Sequence, residues 1–419
     1  MTLTNPHNLR IDIDGLMARL MQLGQDGALE GGGVCRLALS DADKAGRDRV
    51  TGWMRALGLE VSIDHIGNMI GVRAGQENLA PVMIGSHIDT VATGGLYDGN
   101  LGVLAGLEII AALNAAGVQT RRPIAVAAFT NEEGARFAPD MMGSAVDRGS
   151  LEIGAALAAA DADGLTVGEE LARIGYRGPA EPGHITPHCF FELHVEQGPV
   201  LEEAGFEIGA VTGVQGISWM EYVIEGVSNH AGTTPMRLRR DAGHAAAVIA
   251  VEARQIAAKL GGDQVATVGV CALDPGLVNV IARRARITVD LRNTDEALLR
   301  RAEAMMAEVV RETAAREQVT ITGRRLARFE PVAFDPGMIG LVHDIAAADG
   351  RKVMRMPSGA GHDAQMFAPH CPTGMVFVPS KGGISHNIKE HTDPEQLQAG
   401  ADVLMQAVLA KAEETEARS

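Results

Sequence analysis

A chain of 419 residues and 44.0 kDa exceeds what one hydrophobic core usually organises, so about two or three domains are expected. With 46% hydrophobic and 21% charged residues, the composition is that of a folded globular chain and excludes wholly disordered, collagen-like and coiled-coil readings. Only 3% aromatics, and a formal charge of -16 from 37 Lys+Arg against 53 Asp+Glu, argue against stacking platforms and against nucleic acid or anionic membrane as partners.

The N-terminus MTLTNPHNLRIDIDGLMARL lacks a cationic segment followed by an apolar core, and no apolar run is long enough for a membrane span. A cytoplasmic protein is expected. The cysteines Cys35, Cys189, Cys271 and Cys371 lie far apart without a CxxC pair and read as buried, inert thiols. Short apolar runs then alternate with helical patterns, the habit of a parallel α/β sheet. Val82–Ile84, Ile124–Phe129 and Phe190–Leu193 read as buried strands. A glycine-punctuated loop follows the first, and then a helix ending at Gly117.

Beyond Val214 the pattern changes. A strand over Trp219–Glu225, a helix over Asp241–Leu260, strands over Gln264–Cys271 and Arg286–Leu291, a helix over Thr294–Arg316 and a strand over Val319–Gly323 make a βαββαβ order. That is the ferredoxin-like arrangement, a four-stranded antiparallel sheet with two helices on one face. A further strand over Met375–Val378 returns to the first pattern. The fold class is therefore α/β: residues 1–213 and 331–419 form a domain with a central, mostly parallel sheet, and residues 214–330 form an inserted ferredoxin-like domain.

His87, Asp89, Asp98, Glu132, Glu133, His194, Glu196 and His386 all sit at or just past predicted strand ends or in the loops that follow. Sites in open α/β sheets form at the carboxyl ends of strands, so these residues can converge. Three imidazoles among carboxylates describe a zinc-type or manganese-type centre. A carboxylate such as Asp98, in a glycine-rich loop, has room to bridge two cations that share and activate one water. Asp89, two residues after His87, is placed to fix that imidazole's tautomer as an outer partner. Of the pair Glu132 and Glu133, one faces the metals and the other is free to act as a base.

The segments GSHIDTVATGGLYDGNLGVLAGLE, FTNEEGARF, LHVEQGPVLE, NHAGTTPM and SHNIKEHT resemble the amidohydrolase branch of the dinuclear-metal aminoacylase and carboxypeptidase superfamily. That branch holds N-carbamoyl-L-amino acid hydrolases, allantoate amidohydrolases and β-ureidopropionases, and the similarity runs in order from about Asp43 to the end. The resemblance implies two divalent metal ions (zinc, or manganese or cobalt), with Asp98 bridging, His87 and His194 on one ion, and Glu133 and His386 on the other. It gives Glu132 the part of general base and places a strained cis peptide at Asp98–Gly99. In the peptidase branch a carboxylate usually stands at the position of His194, so the histidine favours hydrolysis of ureido groups.

The resemblance makes Arg292 the carboxylate-binding guanidinium, with His230 and Asn279 reaching across a dimer to the developing oxyanion and the substrate. Gln197 and Gly361 complete the substrate contacts. It further implies a homodimer formed through the inserted lid and dimerisation domain, and a small ureido acid as substrate. The expected reaction is cleavage of the carbamoyl C–N bond of an N-carbamoyl-L-amino acid to L-amino acid, carbon dioxide and ammonia. Allantoate amidohydrolase and β-ureidopropionase are the alternatives, and an aminoacylase or peptidase is further off. His188, His244, His362, His370 and His391 are expected to be structural or exposed, although His362 lies in a glycine-rich turn that relatives place near the substrate carboxylate.

Overall fold

The computed structural model describes residues 9–415. The chain divides into two compact units, residues 1–212 with 333–419 and residues 213–332. The inserted unit starts one residue earlier and ends two residues later than the sequence pattern sets it, because extended chain runs through both junctions.

The larger unit is built on a nine-stranded, mostly parallel sheet in the order Glu60–Ile63, Met69–Arg73, Ile124–Phe129, Val82–His87, Cys189–Val195, Thr373–Val378, Ile208–Val214 and Val332–Ala333, with Val353–Ser358 also paired to Ile208–Val214. The four central strands are mutually parallel. Each is buried along its whole length, which explains the short apolar runs at their centres. Parallel strands end on the same edge of a sheet, so the segments following His87, Phe129, Val195 and Val378 emerge side by side.

The helix Asn100–Ala116 connects the first two of these strands and is closed at its C-terminus by Gly117 in the left-handed conformation (φ 66°). It lies close on the sheet because Gly102 has no side chain: a Cβ there would stand 2.7 Å from the carbonyl oxygen of Leu193. Leu101, Leu104, Leu107 and Ile110 enter the main core with Ile84, Val126 and Leu193. The helix Pro394–Ala412 buries Leu397, Leu404 and Val408 in the same core.

The inserted unit carries an antiparallel sheet in the order Thr320–Phe329, Gly216–Glu225, Arg284–Asn293 and then Val265–Thr267 with Cys271–Asp274. Alternate residues Ala285, Ile287, Val289 and Leu291 are buried against Ile249 and Ile256 of the helix Ala242–Leu260 and Leu299 and Met306 of the helix Glu296–Glu317. The single strand expected over Gln264–Cys271 is broken in two. Thr267 pairs with Asp290 and Cys271 with Ile287, so four steps on one strand oppose three on the other. The extra residue is a bulge, recorded in the exchange of hydrogen bonds between Val270 and Thr288. The sheet therefore has five strands rather than four.

Among the described residues no helix is long and apolar enough to cross a membrane. The four cysteines are unpaired, and only Cys189 is buried; Cys271 is exposed and the other two are half-buried, so burial holds for one of the four.

Candidate metal centre

The candidate ligands come from four neighbouring strand ends, His87 and Asp98 sharing one. His87 is the last residue of its strand, and its ring Nδ1 is engaged by the carbonyl oxygen of Asp89 at 2.9 Å, which turns Nε2 towards Asp98 Oδ1 at 3.6 Å. His194, near the end of the neighbouring strand, is held in the same way: Nδ1 meets the Val195 carbonyl at 2.8 Å, and Nε2 lies 3.1 Å from the same Asp98 oxygen. The other oxygen of Asp98 faces His386 Nε2 at 3.5 Å, and that ring nitrogen lies 3.3 Å from Glu133 Oε2. Asp98 thus divides its two oxygens between two sets of side chains, His87 with His194 and Glu133 with His386. In each set the ligand atoms lie within 4.8 Å of one another.

The donor set fits divalent cations. Backbone carbonyls occupy Nδ1 of both buried histidines, the arrangement that leaves Nε2 as the ligating atom, and imidazole with carboxylate suits zinc, manganese or cobalt. Electrostatics agree. Burial opposes a charge on His87, but Glu132, Asp98, Asp89 and Glu133 outweigh it and hold its pKa well above the ordinary value. Burial, reinforced by Asp98, pushes Glu133 up to about 8. The raised acids hold protons that an incoming cation can displace.

Glu132 is buried, with Oε2 3.4 Å from His87 Nε2. Burial, and then the neighbouring acids Asp363, Glu133 and Asp89, raise its pKa well above the usual carboxylate range against the opposing pull of His87. That is the direction a general base needs. A cavity of about 110 Å³ opens onto the cluster, lined by Asp98, Glu132, Glu133, Asp140, His194, Gln197, Ala360, Gly361 and His386.

Several expectations need correction. The carboxylate of Asp89 does not set the tautomer of His87. Its Oδ1 stands 3.9 Å from Nδ1, while Oδ1 and Oδ2 accept the backbone N–H groups of Glu132 and Glu133 at 3.2 and 3.3 Å. Its own carbonyl holds the imidazole instead. Glu196 stays out of the cluster: its carboxylate accepts from the amides of Val200 and Leu201 and caps the short helix Val200–Ala204. The Asp98–Gly99 peptide is trans, since the cis bonds among the described residues precede Pro139 and Pro275. Gly99 makes the turn with a positive φ of 64° instead, and its N–H donates to His194 Nε2 at 3.1 Å.

Gln197 meets the centre from the side. Its Nε2 donates to Asp98 Oδ2 at 2.8 Å, and its Oε1 is buried without a hydrogen-bond partner. Of the remaining histidines, His362 is buried, in keeping with a structural part; it stands edge-on to His194 with ring centroids 4.6 Å apart and exchanges a hydrogen bond with Ser358 Oγ at 2.8 Å.

Three further candidates belong to the inserted unit. His230 is exposed, and its Nδ1 accepts from the N–H groups of Gly232 and Thr233 at 3.1 and 3.2 Å, so the neutral ring carries its proton on Nε2 as a donor. Asn279 is exposed on the adjoining loop, where its carbonyl accepts from Ala231. Arg292 lies on the strand Arg284–Asn293. Its Nε and Nη2 contact the Asp290 carboxylate at 2.9 to 3.2 Å, and its guanidinium sits 5.8 Å from the Trp219 ring centre. Asp290 is a partner that the sequence left unnamed.

Sequence reasoning also missed three buried acids around the centre. Glu192, two residues before His194 on the same strand face, accepts from Ser86 Oγ at 2.7 Å and from the Ala364 amide at 2.8 Å. Asp363 accepts from Ser144 Oγ at 2.5 Å. Glu390 accepts from the amides of Tyr97 and Asp98. An acid inside the apolar run CFFELHV was the one available signal.

A mostly parallel sheet with a cation-suited cluster at its carboxyl edge, and an inserted antiparallel α/β unit, defines a class of hydrolytic α/β enzymes with an interrupted catalytic unit. The model of the peptidase family M20/M25/M40 matches residues 83–410, and the chain belongs to that family. An N-carbamoyl-L-amino-acid amidohydrolase of Rhizobium meliloti is 40% identical over 407 residues, 97% of this chain and 98% of that one. A solved amidase of the hydantoinase/carbamoylase family from Burkholderia multivorans superposes with a TM-score of 0.95 at 43% identity, covering 97% of this chain and 99% of the other. More distant is a ureidoglycolate hydrolase of Oryza sativa, 32% identical over 408 residues, covering 95% of this chain and 84% of that one.

Proposed function

We propose that the chain hydrolyses the carbamoyl C–N bond of N-carbamoyl-L-amino acids, giving the L-amino acid, carbon dioxide and ammonia. The observation that carries this reading is the division of the Asp98 oxygens between two sets of ligands with Glu132 alongside. In this reading His87, His194 and Asp98 hold one divalent ion, and Asp98, Glu133 and His386 hold a second, as zinc or as manganese or cobalt. When bound, such a pair supplies Lewis acidity and a water acidic enough to be deprotonated near neutral pH.

Glu132 takes the proton of the attacking water and returns it to the departing amine, the double duty its raised pKa suits. Gln197 keeps a free acceptor oxygen for a ureido N–H, which a plain amide substrate offers in smaller number. Arg292 binds the α-carboxylate, with Asp290 and Trp219 setting the guanidinium plane. Nε2–H of His230 donates to the developing oxyanion, a contact worth about 3 to 4 kcal/mol in acyl-transfer sites. Asn279 orients the substrate and Gly361 lines the pocket. His230, Asn279 and Arg292 act from the inserted unit of a second copy in a homodimer, a step that light scattering tests: full activity in a monomer overturns it.

The similarity to N-carbamoyl-L-amino-acid amidohydrolases over nearly the whole chain supports this substrate class. The ureidoglycolate hydrolase relative supports a second reading, the same chemistry on another small ureido acid. Ammonia release by the metal-loaded enzyme from N-carbamoyl-L-amino acids, allantoate, ureidoglycolate, N-carbamoyl-β-alanine and an N-acetyl amino acid decides between them. Turnover of the N-acetyl compound alone defeats both.

A further inference from the structure

Behind the loop that carries Asp98 lies a buried acid that belongs to neither set of ligands. Glu390 is 6% exposed, and its Oε1 accepts the backbone N–H groups of Tyr97 at 3.0 Å and Asp98 at 3.1 Å. It sits four residues after His386, in a turn held by Asn387, whose carbonyl accepts from the Glu390 amide at 2.9 Å and whose side chain accepts from Lys389 at 3.0 Å. Ser385, the residue before His386, places its hydroxyl 3.2 Å from Asp98 Oδ2 and 3.5 Å from Glu390 Oε2. The loop of Asp98 receives the acid without a gap. A Cβ on Gly95 would stand 2.2 Å from Glu390 Oε1, so only glycine there admits the carboxylate.

We infer that Glu390, assisted by Ser385, is a positioning residue that locks the backbone of the bridging Asp98 to the loop carrying His386, so that the two ion positions form together. The two loops lie nearly three hundred residues apart in the chain, and these bonds tie them at the point where the shared carboxylate must face both ways. The inference rests on the ion-pair reading given under the proposed function. It assigns Glu390 no contact with substrate or with ions. Its effect passes through the orientation of Asp98, as partners behind a ligand do elsewhere.

The test strips the full-length protein of metal and titrates it with zinc and separately with manganese, reading ion content by elemental analysis and affinity by calorimetry. Wild type takes two ions. Glu390→Ala weakens ion binding by about 10- to 100-fold and lowers kcat with KM unchanged, whereas Glu390→Gln, whose carbonyl oxygen still accepts both amides, stays within about 3-fold of wild type. Wild-type affinity in Glu390→Ala overturns the inference, and so does a Glu390→Gln variant that is folded yet as weak as Glu390→Ala. Should Glu390→Ala not fold, Ser385→Ala carries the test, since it removes only the hydroxyl that faces both Asp98 and Glu390; unchanged affinity there overturns the proposal equally. A wild type that binds no ions defeats the ion-pair reading itself, which separates the two failures.

Discussion

At the scale of single residues, Asp89 shows how close in sequence differs from close in function. Its carboxylate holds the amides of Glu132 and Glu133, so it orients the pair that the proposed function makes one ligand and the base. Asp89→Ala is expected to lower kcat by about 10- to 100-fold, the usual cost of losing a supporting partner, and steady-state kinetics on reconstituted protein measures it. Glu132→Gln removes the proton acceptor itself. Turnover should fall by about 10²- to 10⁴-fold with the ion content intact, and wild-type turnover in that variant removes Glu132 from the mechanism.

Protons and cations compete for the same atoms. Glu133 titrates at about 8, and the His87 pKa is raised, so below that pH an incoming ion must displace protons. Ion affinity should therefore rise with pH through about 8. Calorimetry at pH 7 in two buffers of different ionisation enthalpy should show proton release on binding, and its absence contradicts the charge state described for the site.

At the scale of elements, Gly99 opens the helix Asn100–Ala116 and ends the loop of Asp98. It has a positive φ, and a Cβ built on it would stand 2.3 Å from the His87 ring. Gly99→Ala should destabilise the larger unit by about 1 to 3 kcal/mol and push His87 off its ion position, seen as a lower melting temperature together with weaker ion binding. Ion binding at wild-type strength would show that the ring has room to move. The same helix is anchored by Arg36, which is buried and donates to Asn100 Oδ1 at 2.8 Å, to the Ile88 carbonyl at 2.6 Å and to the Leu23 and Asp26 carbonyls.

The elements that carry the site were legible because physics marks them twice. Val82–Ile84 and Ile124–Phe129 are apolar because both faces of the sheet are covered, and the polar residues that follow have nowhere to go but the sheet edge. What escaped reading depended on tertiary contact. The bulge after Thr267 leaves no mark in the alternation of VATVGVCA, and Arg36 is one arginine among many until its carbonyl partners are seen. Asp89 was placed by its spacing from His87, yet the strand ends at His87, so the rule of alternating faces no longer applied. Glu390 belongs to a motif that was read for its histidine alone.

At the scale of the molecule, the ligand clusters and the buried acids lie in the larger unit, while His230, Asn279 and Arg292 lie in the other. Ions that bind only the native larger unit stabilise it by mass action, about 2.7 kcal/mol when the free ion is at a hundred times its Kd. Chelation should lower the melting transition of that unit and leave the transition of residues 213–332 in place. Scanning calorimetry with and without a chelator distinguishes this from a uniform shift.

The order in which the central strands enter the sheet has a consequence for biosynthesis. Three of them precede the insertion, and the fourth, Thr373–Val378, with His386 behind it, follows it. A nascent chain on the ribosome can therefore assemble His87, Asp98 and His194 early, yet the partner of Glu133 emerges only after the entire inserted unit has been made. Translation halted between residues 194 and 386 leaves a chain that has His87, Asp98 and His194 but lacks His386, and under the proposed function such a product has no complete second set of ligands.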